Sequence, residues 1–244
     1  MEIVVQKYGG SSVANTEKLF NVCKNIIKEK EKKKSLVIVV SAQGNTTDEL
    51  IKQEQEINNL TNKREYDVLV SVGEQITVAK LAMCLGKLGY EAESFLGWQV
   101  PIITDSSHGD ANIVSIKTNN IIRELNNNKI VIVAGFQGID SKNNITTLGR
   151  GGSDTTAIAL AAALNAEKCE IFKDVDGVYS EDPHINKNAI KYDKISYDRM
   201  LDMSNNGAKV LHNKCVQMAK DNQIKIVVKS TFKENDNIGT IVDN

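Results

Sequence analysis

Short, wholly apolar runs alternate along the chain with longer stretches in which apolar residues recur every three or four positions. Residues 3–6 form one such run, which leads into Gly9-Gly10; from 13 to 34, Leu19, Val22, Cys23, Ile26 and Ile27 keep helical spacing. Strand, glycine turn and helix follow from that order. Residues 36–40 are again continuously apolar, and the polar turn after them places Thr46 or Thr47 to cap a helix. Further on, 66–88 and 116–125 read as helices, and 92–96, 102–104, 130–134 and 145–148 as strands. A second Gly-Gly loop precedes 155–164, an alanine-rich helix suited to close packing, and strands at 169–172, 225–228 and 240–242 complete the set.

Strands that are apolar throughout and alternate with helices imply a mainly parallel sheet covered on both faces, so the fold class is α/β. Two prolines, Pro101 and Pro183, mark no linker. The most polar stretch near the middle, Asp140-Ser-Lys-Asn-Asn144, is therefore the expected boundary between an N-terminal lobe, residues 1–140, and a C-terminal lobe, residues 141–244. The Lys and Glu run at 28–34 reads as a solvated helix end.

A chain of 244 residues with 41% hydrophobic content can bury a sizeable core, as one large domain or two closely joined lobes. Thirty Lys and Arg against 31 Asp and Glu leave a net charge of -1, which argues against a nucleic-acid surface and leaves anion binding to local sites. Cys23, Cys84, Cys169 and Cys215 show no metal-ligand spacing and read as reduced, mostly buried thiols. His108 and His212 read as structural or exposed, and no zinc or haem site is suggested. Without a charged leader ahead of a long apolar segment, and without 18 consecutive apolar residues, a cytoplasmic protein with no membrane association is expected.

The two glycine loops carry the candidate chemistry. A strand that runs through Gly-Gly into a helix leaves free N–H groups at the helix start, and the missing side chains let an anion approach. Lys7 stands before the first loop, and Arg150 flanks the second in Thr147-Leu-Gly-Arg-Gly-Gly-Ser-Asp154. Each loop alone is equally well a tight turn; two cation-flanked loops together suggest two anionic partners. Neither fits the P-loop pattern, and Asp154 stands where a dinucleotide motif needs glycine.

Lys7-Tyr-Gly-Gly-Ser-Ser-Val13 resembles the opening of aspartate kinases. Further matches follow in the same order: Val40-Ser-Ala-Gln-Gly-Asn-Thr-Thr-Asp48, Gly73-Glu74, Ala134-Gly-Phe-Gln-Gly138, the Arg150 loop, Asp174-Val-Asp-Gly-Val-Tyr179 and Gly207-Ala-Lys-Val-Leu211. The resemblance covers essentially the whole chain. It implies the amino-acid kinase fold, with the phosphoryl acceptor in the N-terminal lobe and ATP in the C-terminal lobe. The implied reaction moves the γ-phosphoryl group of MgATP to the side-chain carboxylate of L-aspartate, giving 4-phospho-L-aspartate on the route to lysine, threonine, methionine and isoleucine.

Such a reaction brings two anions together and has no proton to remove, so its demands are positioning and charge neutralisation. The resemblance implies Lys7, Asp154 and Lys209 as catalytic residues. For the amino acid it implies Asn45, Thr46, Thr47, Glu74, Phe136, Arg150, Gly151, Gly152 and Ser153. Arg150 offers the bidentate fork for the α-carboxylate, and Glu74 or Asp154 would receive the α-ammonium. For ATP it implies Lys7, Tyr8, Gly9, Gly10, Ser41, Lys173, Asp174, Tyr179, His184 and Lys209. Mg2+ is expected only as the partner of the ATP phosphates, with no protein ligand set. Two positions depart from the family pattern: Lys173 stands where Thr is usual, and His184 where Arg is usual.

Most aspartate kinases carry C-terminal ACT regulatory domains, and this sequence stops at 239–244, just past the catalytic part. Lysine and threonine are therefore expected not to inhibit it directly. A homodimer, and a separate regulatory chain, are the expected protein partners. Another kinase of the same fold, with glutamate, acetylglutamate, carbamate or a nucleoside monophosphate as acceptor, and a catalytically silent amino-acid or nucleotide sensor remain the alternatives.

Overall fold

The apolar runs become the interior of a large sheet in the computed structural model of the chain, which describes residues 1–57, 62–183, 185–233 and 238–244. The first half runs β1 (Ile3–Tyr8), α1 (Thr16–Lys30), β2 (Ser35–Val40), α2 (Thr46–Ile57), α3 (Lys63–Val70), α4 (Val72–Lys87), β3 (Ala92–Phe95), β4 (Ile102–Thr104), β5 (Ile113–Ile116) and α5 (Asn119–Asn126). The second half runs β6 (Ile130–Ala134), β7 (Gln137–Ile139), β8 (Ile145–Thr147), α6 (Gly152–Ala163), β9 (Lys168–Lys173), β10 (Lys194–Ser196), α7 (Tyr197–Asn205), α8 (Asn213–Asp221), β11 (Ile226–Ser230) and β12 (Thr240–Asp243).

Eight strands form one sheet in the order β10-β12-β11-β9-β1-β2-β6-β3, parallel throughout except where β11 meets β12. Alternation along each strand divides the core in two. Ile3, Val5, Val37, Val39, Val131 and Val133 face α6 and α8, packing on Ala157, Ile158, Leu160 and Val216. Val4, Leu36, Ile38, Val40, Ile130 and Ile132 face the other way, onto Leu19, Val22 and Ile26 of α1 and Val78, Leu81 and Leu85 of α4. A sheet buried on both faces explains why its strands read as unbroken apolar runs.

A second, four-stranded sheet, β5-β4-β7-β8, is mostly antiparallel; β4 and β8 match expected strands, but β5, β7 and the separate sheet were not expected. Its strands span three or four residues, too few to show a period. Asp140-Ser-Lys-Asn-Asn144, the expected lobe boundary, is the turn of its β7–β8 hairpin: the Asp140 carboxylate accepts the N–H groups of Lys142 and Asn144, each at 2.9 Å. Those hydrogen bonds hold the Asp140 carboxyl down at about 2 although burial opposes it.

Other elements differ in extent. The chain makes a 3-10 turn at Gly10–Ser12 before α1 begins, because the Asn15 side chain caps Thr16–Lys30 by accepting the Lys18 N–H at 2.9 Å. The expected 66–88 helix is two helices that meet at Ser71, whose N–H and hydroxyl donate to the Asp67 and Val68 carbonyls. Thr46 does not cap α2 through its side chain; its hydroxyl donates to the Gln43 carbonyl at 2.7 Å. Residue 116 ends β5, and α5 starts only at Asn119. In the 28–34 run Lys28, Glu31, Lys32 and Lys33 are exposed, but Glu29 is buried and ion-paired to Lys32 at 2.8 Å, and Lys34 is half-buried and ion-paired to Glu2 and Glu167. The segment Lys63–Lys87 is long and apolar enough, by length and composition, to cross a membrane, yet half of its most apolar window is buried inside the fold. All four cysteines are free and buried.

Leu81 is fully buried between α4 and the sheet. Leu81→Ala should lower the unfolding free energy by about 2 to 5 kcal/mol, read as a lower urea midpoint at unchanged slope. A loss below about 1 kcal/mol would contradict that packing.

Candidate functional site

The parallel strands β1, β2, β6 and β9 end at one edge of the sheet, and the loops that leave them build a cleft there. Glycine is required at this edge because backbones touch. A Cβ at Gly10 would stand 2.8 Å from the Ala42 carbonyl oxygen, and one at Gly73 would stand 2.6 Å from Ala42 Cβ. The Gly44 N–H donates to the Gly10 carbonyl at 3.0 Å, so the loops after β1 and β2 are tied main chain to main chain. The same closeness seats the first turn of α4, and with it Glu74, against Ala42.

Glu74 is 3% exposed, and one of its carboxylate oxygens accepts the Ala42 N–H at 2.9 Å. The other, Oε2, is buried with no hydrogen-bond partner among the described residues. Burial is the main cause that raises its pKa from the ordinary 4.5 to about 7, with the Ala42 hydrogen bond and the Lys7 charge only partly offsetting it.

A second wall comes from Gly149-Arg-Gly151 and α6. Gly149 and Gly151 take φ of +69° and +74°, and Cβ atoms there would meet Asp110 Oδ1 at 2.5 Å and His212 Cβ at 2.7 Å. Gly151 precedes α6 with no side-chain cap, and the N–H groups of Ser153 and Asp154 have no backbone acceptor among the described residues. They are free donors at a helix N-terminus. Phe136, a bulky residue at φ +70°, is held by its N–H donating to Thr156 Oγ1 at 3.1 Å. Strain of that kind persists only where neighbours over-determine it; here Gly135 is fixed against Ser153 and Gly152 against Phe136, with Cβ clearances of 2.7 and 2.8 Å.

Strand alternation puts charge on the floor. Lys7 continues the Ile3, Val5 series that faces α6, and Lys173 continues the Cys169, Ile171 series on the neighbouring strand, where Lys7 is in register with Ile171. Both ammonium groups therefore meet Asp154 in the first turn of α6: Lys7 Nζ lies 2.7 Å from Oδ1 and Lys173 Nζ 2.8 Å from Oδ2. Burial works against the Asp154 carboxylate, but Lys173 and then Lys7 hold its pKa well below the usual range. Burial pushes the Lys7 pKa down, with Asp154 resisting; at Lys173 burial is outweighed by Asp154, and its pKa is raised.

Eleven of the residues implied by the sequence line one cavity of about 490 Å³: Lys7, Ser41, Thr47, Glu74, Phe136, Arg150, Gly151, Gly152, Ser153, Asp154 and Lys173. Arg150 is exposed there and makes no ion pair among the described residues. Asn45 sits in the turn before α2 and Thr46 begins that helix, neither in the lining; Gly9 and Gly10 are outside it too, a Cβ at Gly9 standing 3.4 Å from Lys7 Nζ. The Tyr8 ring is in the core on the opposite face, stacked on Phe172 at 4.5 Å, so only its backbone is near the edge. Asp174 is exposed and outside the lining; Tyr179 donates its hydroxyl to Asp176 at 2.6 Å. Lys209 is exposed in the loop between α7 and α8, also outside the lining and without an ion pair among the described residues. His184 lies outside the described residues.

Asp48, Ile51, Tyr66 and Gly109 line the cavity without having been singled out. Behind them Asp67, fully buried on α3, has Oδ2 2.6 Å from His108 Nδ1 and accepts the Gly109 N–H at 3.0 Å and the Thr147 hydroxyl at 2.5 Å. His108 is thus structural, as its sequence context suggested. The signal for Asp67 was its place three residues before the buried Val70, a charge on an apolar helix face. Among the described residues no group of three or more His, Cys, Asp or Glu is placed to hold a metal ion.

The profile of the Amino acid kinase family matches residues 2–230, and the chain belongs to that family. It is 50% identical over 243 residues to the aspartokinase of Bacillus sp. (strain MGA3), a match covering 100% of this chain and 59% of that protein. Its fold superposes on an aspartate kinase from Synechocystis with a TM-score of 0.88 at 39% identity, covering 99% of this chain and 39% of that one. The E. coli aspartokinase III structure in complex with aspartate and ADP gives 0.89 at 28% identity, covering 100% and 65%. The chain therefore spans about 59% of the length of the curated relatives it matches.

Because Glu74 holds a proton more tightly folded than unfolded, the folded state carries the proton excess between pH 4.5 and about 7. Stability should fall as pH rises through that window. Denaturant unfolding at intervals across it should show a decline that Glu74→Gln removes; an identical pH dependence in the variant would refute the assignment.

Proposed function

We propose that this chain is the catalytic part of an aspartate kinase, transferring the γ-phosphoryl group of MgATP to the side-chain carboxylate of L-aspartate. One observation carries the proposal: an unpartnered, buried Glu74 oxygen, an exposed Arg150 and a Lys7–Asp154–Lys173 cluster line the same cleft. The names of the relatives support it. Arg150 is the bidentate clamp for the α-carboxylate, and the free Glu74 oxygen receives the α-ammonium. These two groups come from either side of residue 140, so amino-acid recognition uses both halves of the chain.

The acceptor carboxylate is already ionised and has no proton to remove, so the cleft supplies position and positive charge. An oxygen of that carboxylate forms the new P–O bond while the bond from Pγ to the β–γ bridging oxygen breaks, and ADP leaves with the electron pair. Lys7 and the free N–H groups of Ser153 and Asp154 are placed to offset charge on the transferring group. Magnesium would arrive on the nucleotide's phosphates and draw charge away from them.

Incubation with MgATP, hydroxylamine and single acceptors should give the most acyl hydroxamate and ADP with L-aspartate. Higher turnover with glutamate, N-acetylglutamate, carbamate or UMP would overturn the acceptor assignment, and no ADP with any acceptor would favour a silent binder. Arg150→Ala should raise the aspartate KM by about 10- to 150-fold, the equivalent of about 1.5 to 3 kcal/mol for a charged hydrogen bond. An unchanged KM would remove Arg150 from that role. Since an ammonium pairs with ionised Glu74, the aspartate KM should fall as pH rises from about 5.5 to about 7.5, and Glu74→Gln should flatten that profile.

A further inference from the structure

We propose that Asp67, with His108 as its partner, is a positioning residue for amino-acid recognition: the pair fixes the loop that presents Arg150 and so sets where the α-carboxylate is clamped. The inference rests on the aspartate kinase reading above and goes beyond it, because neither residue lines the cleft and neither belongs to the site implied by the sequence.

Asp67 is fully buried on α3, and its carboxylate meets three donors from two other segments of the chain. His108 Nδ1 stands 2.6 Å from Oδ2, while the Gly109 N–H at 3.0 Å and the Thr147 hydroxyl at 2.5 Å donate to Oδ1. Gly109 in turn lies against Gly149, where a Cβ would stand 3.2 Å from the Gly109 carbonyl oxygen. Thr147 ends β8, just before the loop, and its carbonyl accepts the Ala111 N–H at 2.9 Å. One buried carboxylate therefore holds both the chain that leads into the Arg150 loop and the backbone packed against it.

The loop has little else to hold it. Leu148 donates its N–H to the Phe136 carbonyl at 2.9 Å, and Gly152 donates to the Gly149 carbonyl at 3.0 Å. Among the described residues, Gly149, Arg150 and Gly151 donate no backbone hydrogen bond. Gly149 and Gly151 have no Cβ to restrict rotation, so the place of the guanidinium between them depends on its flanks. The segment that carries His108 and Gly109 is itself closed. The Asp105 carboxylate accepts the Ser107 and Asn112 N–H groups at 3.1 and 3.2 Å and the Asn112 side-chain amide at 2.9 Å. Firm support of this kind matters because a misplacement of about 1 Å in a substrate-positioning group can cost on the order of 100-fold in rate.

The test uses His108→Ala, His108→Asn and Thr147→Val, each of which removes or replaces one donor and leaves Asp67 the others. Asp67→Ala would strand buried donors and endanger the fold. Circular dichroism and thermal melting confirm that the variants fold. His108→Ala and Thr147→Val should each raise the aspartate KM about 10-fold while the MgATP KM stays within about 2-fold of the parent. His108→Asn, whose amide N–H can replace Nδ1 as donor, should recover most of that loss. In a double-mutant cycle, adding His108→Ala to Arg150→Ala should raise the aspartate KM by no more than about 2-fold, because the pair acts through the guanidinium. Hydrogen exchange at the Leu148 and Gly152 amides should quicken about 10-fold in His108→Ala, with the α1 amides unchanged. Additive effects in the cycle, equal losses for aspartate and MgATP, or parent-like exchange and aspartate KM in folded His108→Ala would overturn the proposal. If the parent phosphorylates no acceptor, the enzymatic reading fails, while the exchange comparison still decides whether Asp67 and His108 hold the loop.

Discussion

The site depends on a buried carboxylate shared by two ammonium groups. Desolvating three charges is expensive, and such a cluster persists only when each charge meets its partners at close range with little freedom to relax. Here the required geometry is supplied by regular structure. Lys7 and Lys173 project from adjacent parallel strands on the same face, and Asp154 descends from the first turn of the helix that covers that face. Shift either strand by one residue and its lysine would turn to the α1 and α4 side, into the apolar cluster around Tyr8 and Phe172. Apolar alternation that fixes the sheet register therefore also fixes the electrostatics.

Close main-chain approach is the second condition. Gly10, Gly73, Gly135 and Gly152 each sit where a Cβ would come within 2.6 to 2.8 Å of a neighbour, and together they let the loops after β1, β2 and β6 converge on the start of α6. Phe136 is forced to φ +70° in that crowd, and its position is kept by the Thr156 hydroxyl instead of by a favourable backbone. The loop that carries Arg150 is braced from behind, through Thr147 and Gly109, by buried Asp67. A site rigid at this level presents donors and charges in place before a ligand binds, which is what a reaction governed by positioning requires.

Much of this was legible in the sequence, for physical reasons that differ by element. The interior strands declared themselves because burial on both faces leaves no polar positions; Lys7 and Arg150 stood out as cations beside paired glycine loops, whereas Ser41, Thr47, Glu74 and Phe136 came from the resemblance alone. Of the small sheet, the strands at 102–104 and 145–148 showed, but β5, β7 and their pairing stayed hidden: Gln137–Ile139 holds a glycine whose Cβ would stand 2.5 Å from the Ile102 carbonyl oxygen, and three residues show no alternation. Tyr8 looked like part of the phosphate loop but belongs to the core, since residue parity on β1 sends it to the opposite face from Lys7. The break at Ser71 leaves no trace in the apolar spacing of 66–88, because both halves bury a face. Lys173 was visible only as a departure from a pattern; that it shares Asp154 with Lys7 needs the β1–β9 adjacency, a contact across 164 residues in register that no local reading supplies.

Under the proposed function, acceptor choice follows from what the cleft leaves unsatisfied. Glu74 keeps one buried oxygen without a partner, and Arg150 keeps its guanidinium free of any ion pair among the described residues. An α-amino acid brings an ammonium and a carboxylate that answer both. N-acetylglutamate has no ammonium, and an amide N–H compensates an ionised Glu74 less than a full charge does, while carbamate and UMP bring neither group in that arrangement. Rejection by such a site is stronger than attraction, because a missing ligand group leaves a buried polar atom desolvated for nothing, which discriminates far more sharply than a lost methylene in an apolar pocket. On that proposal the unpaired Glu74 oxygen, costly in the free protein, is the feature that most narrows what the cleft accepts.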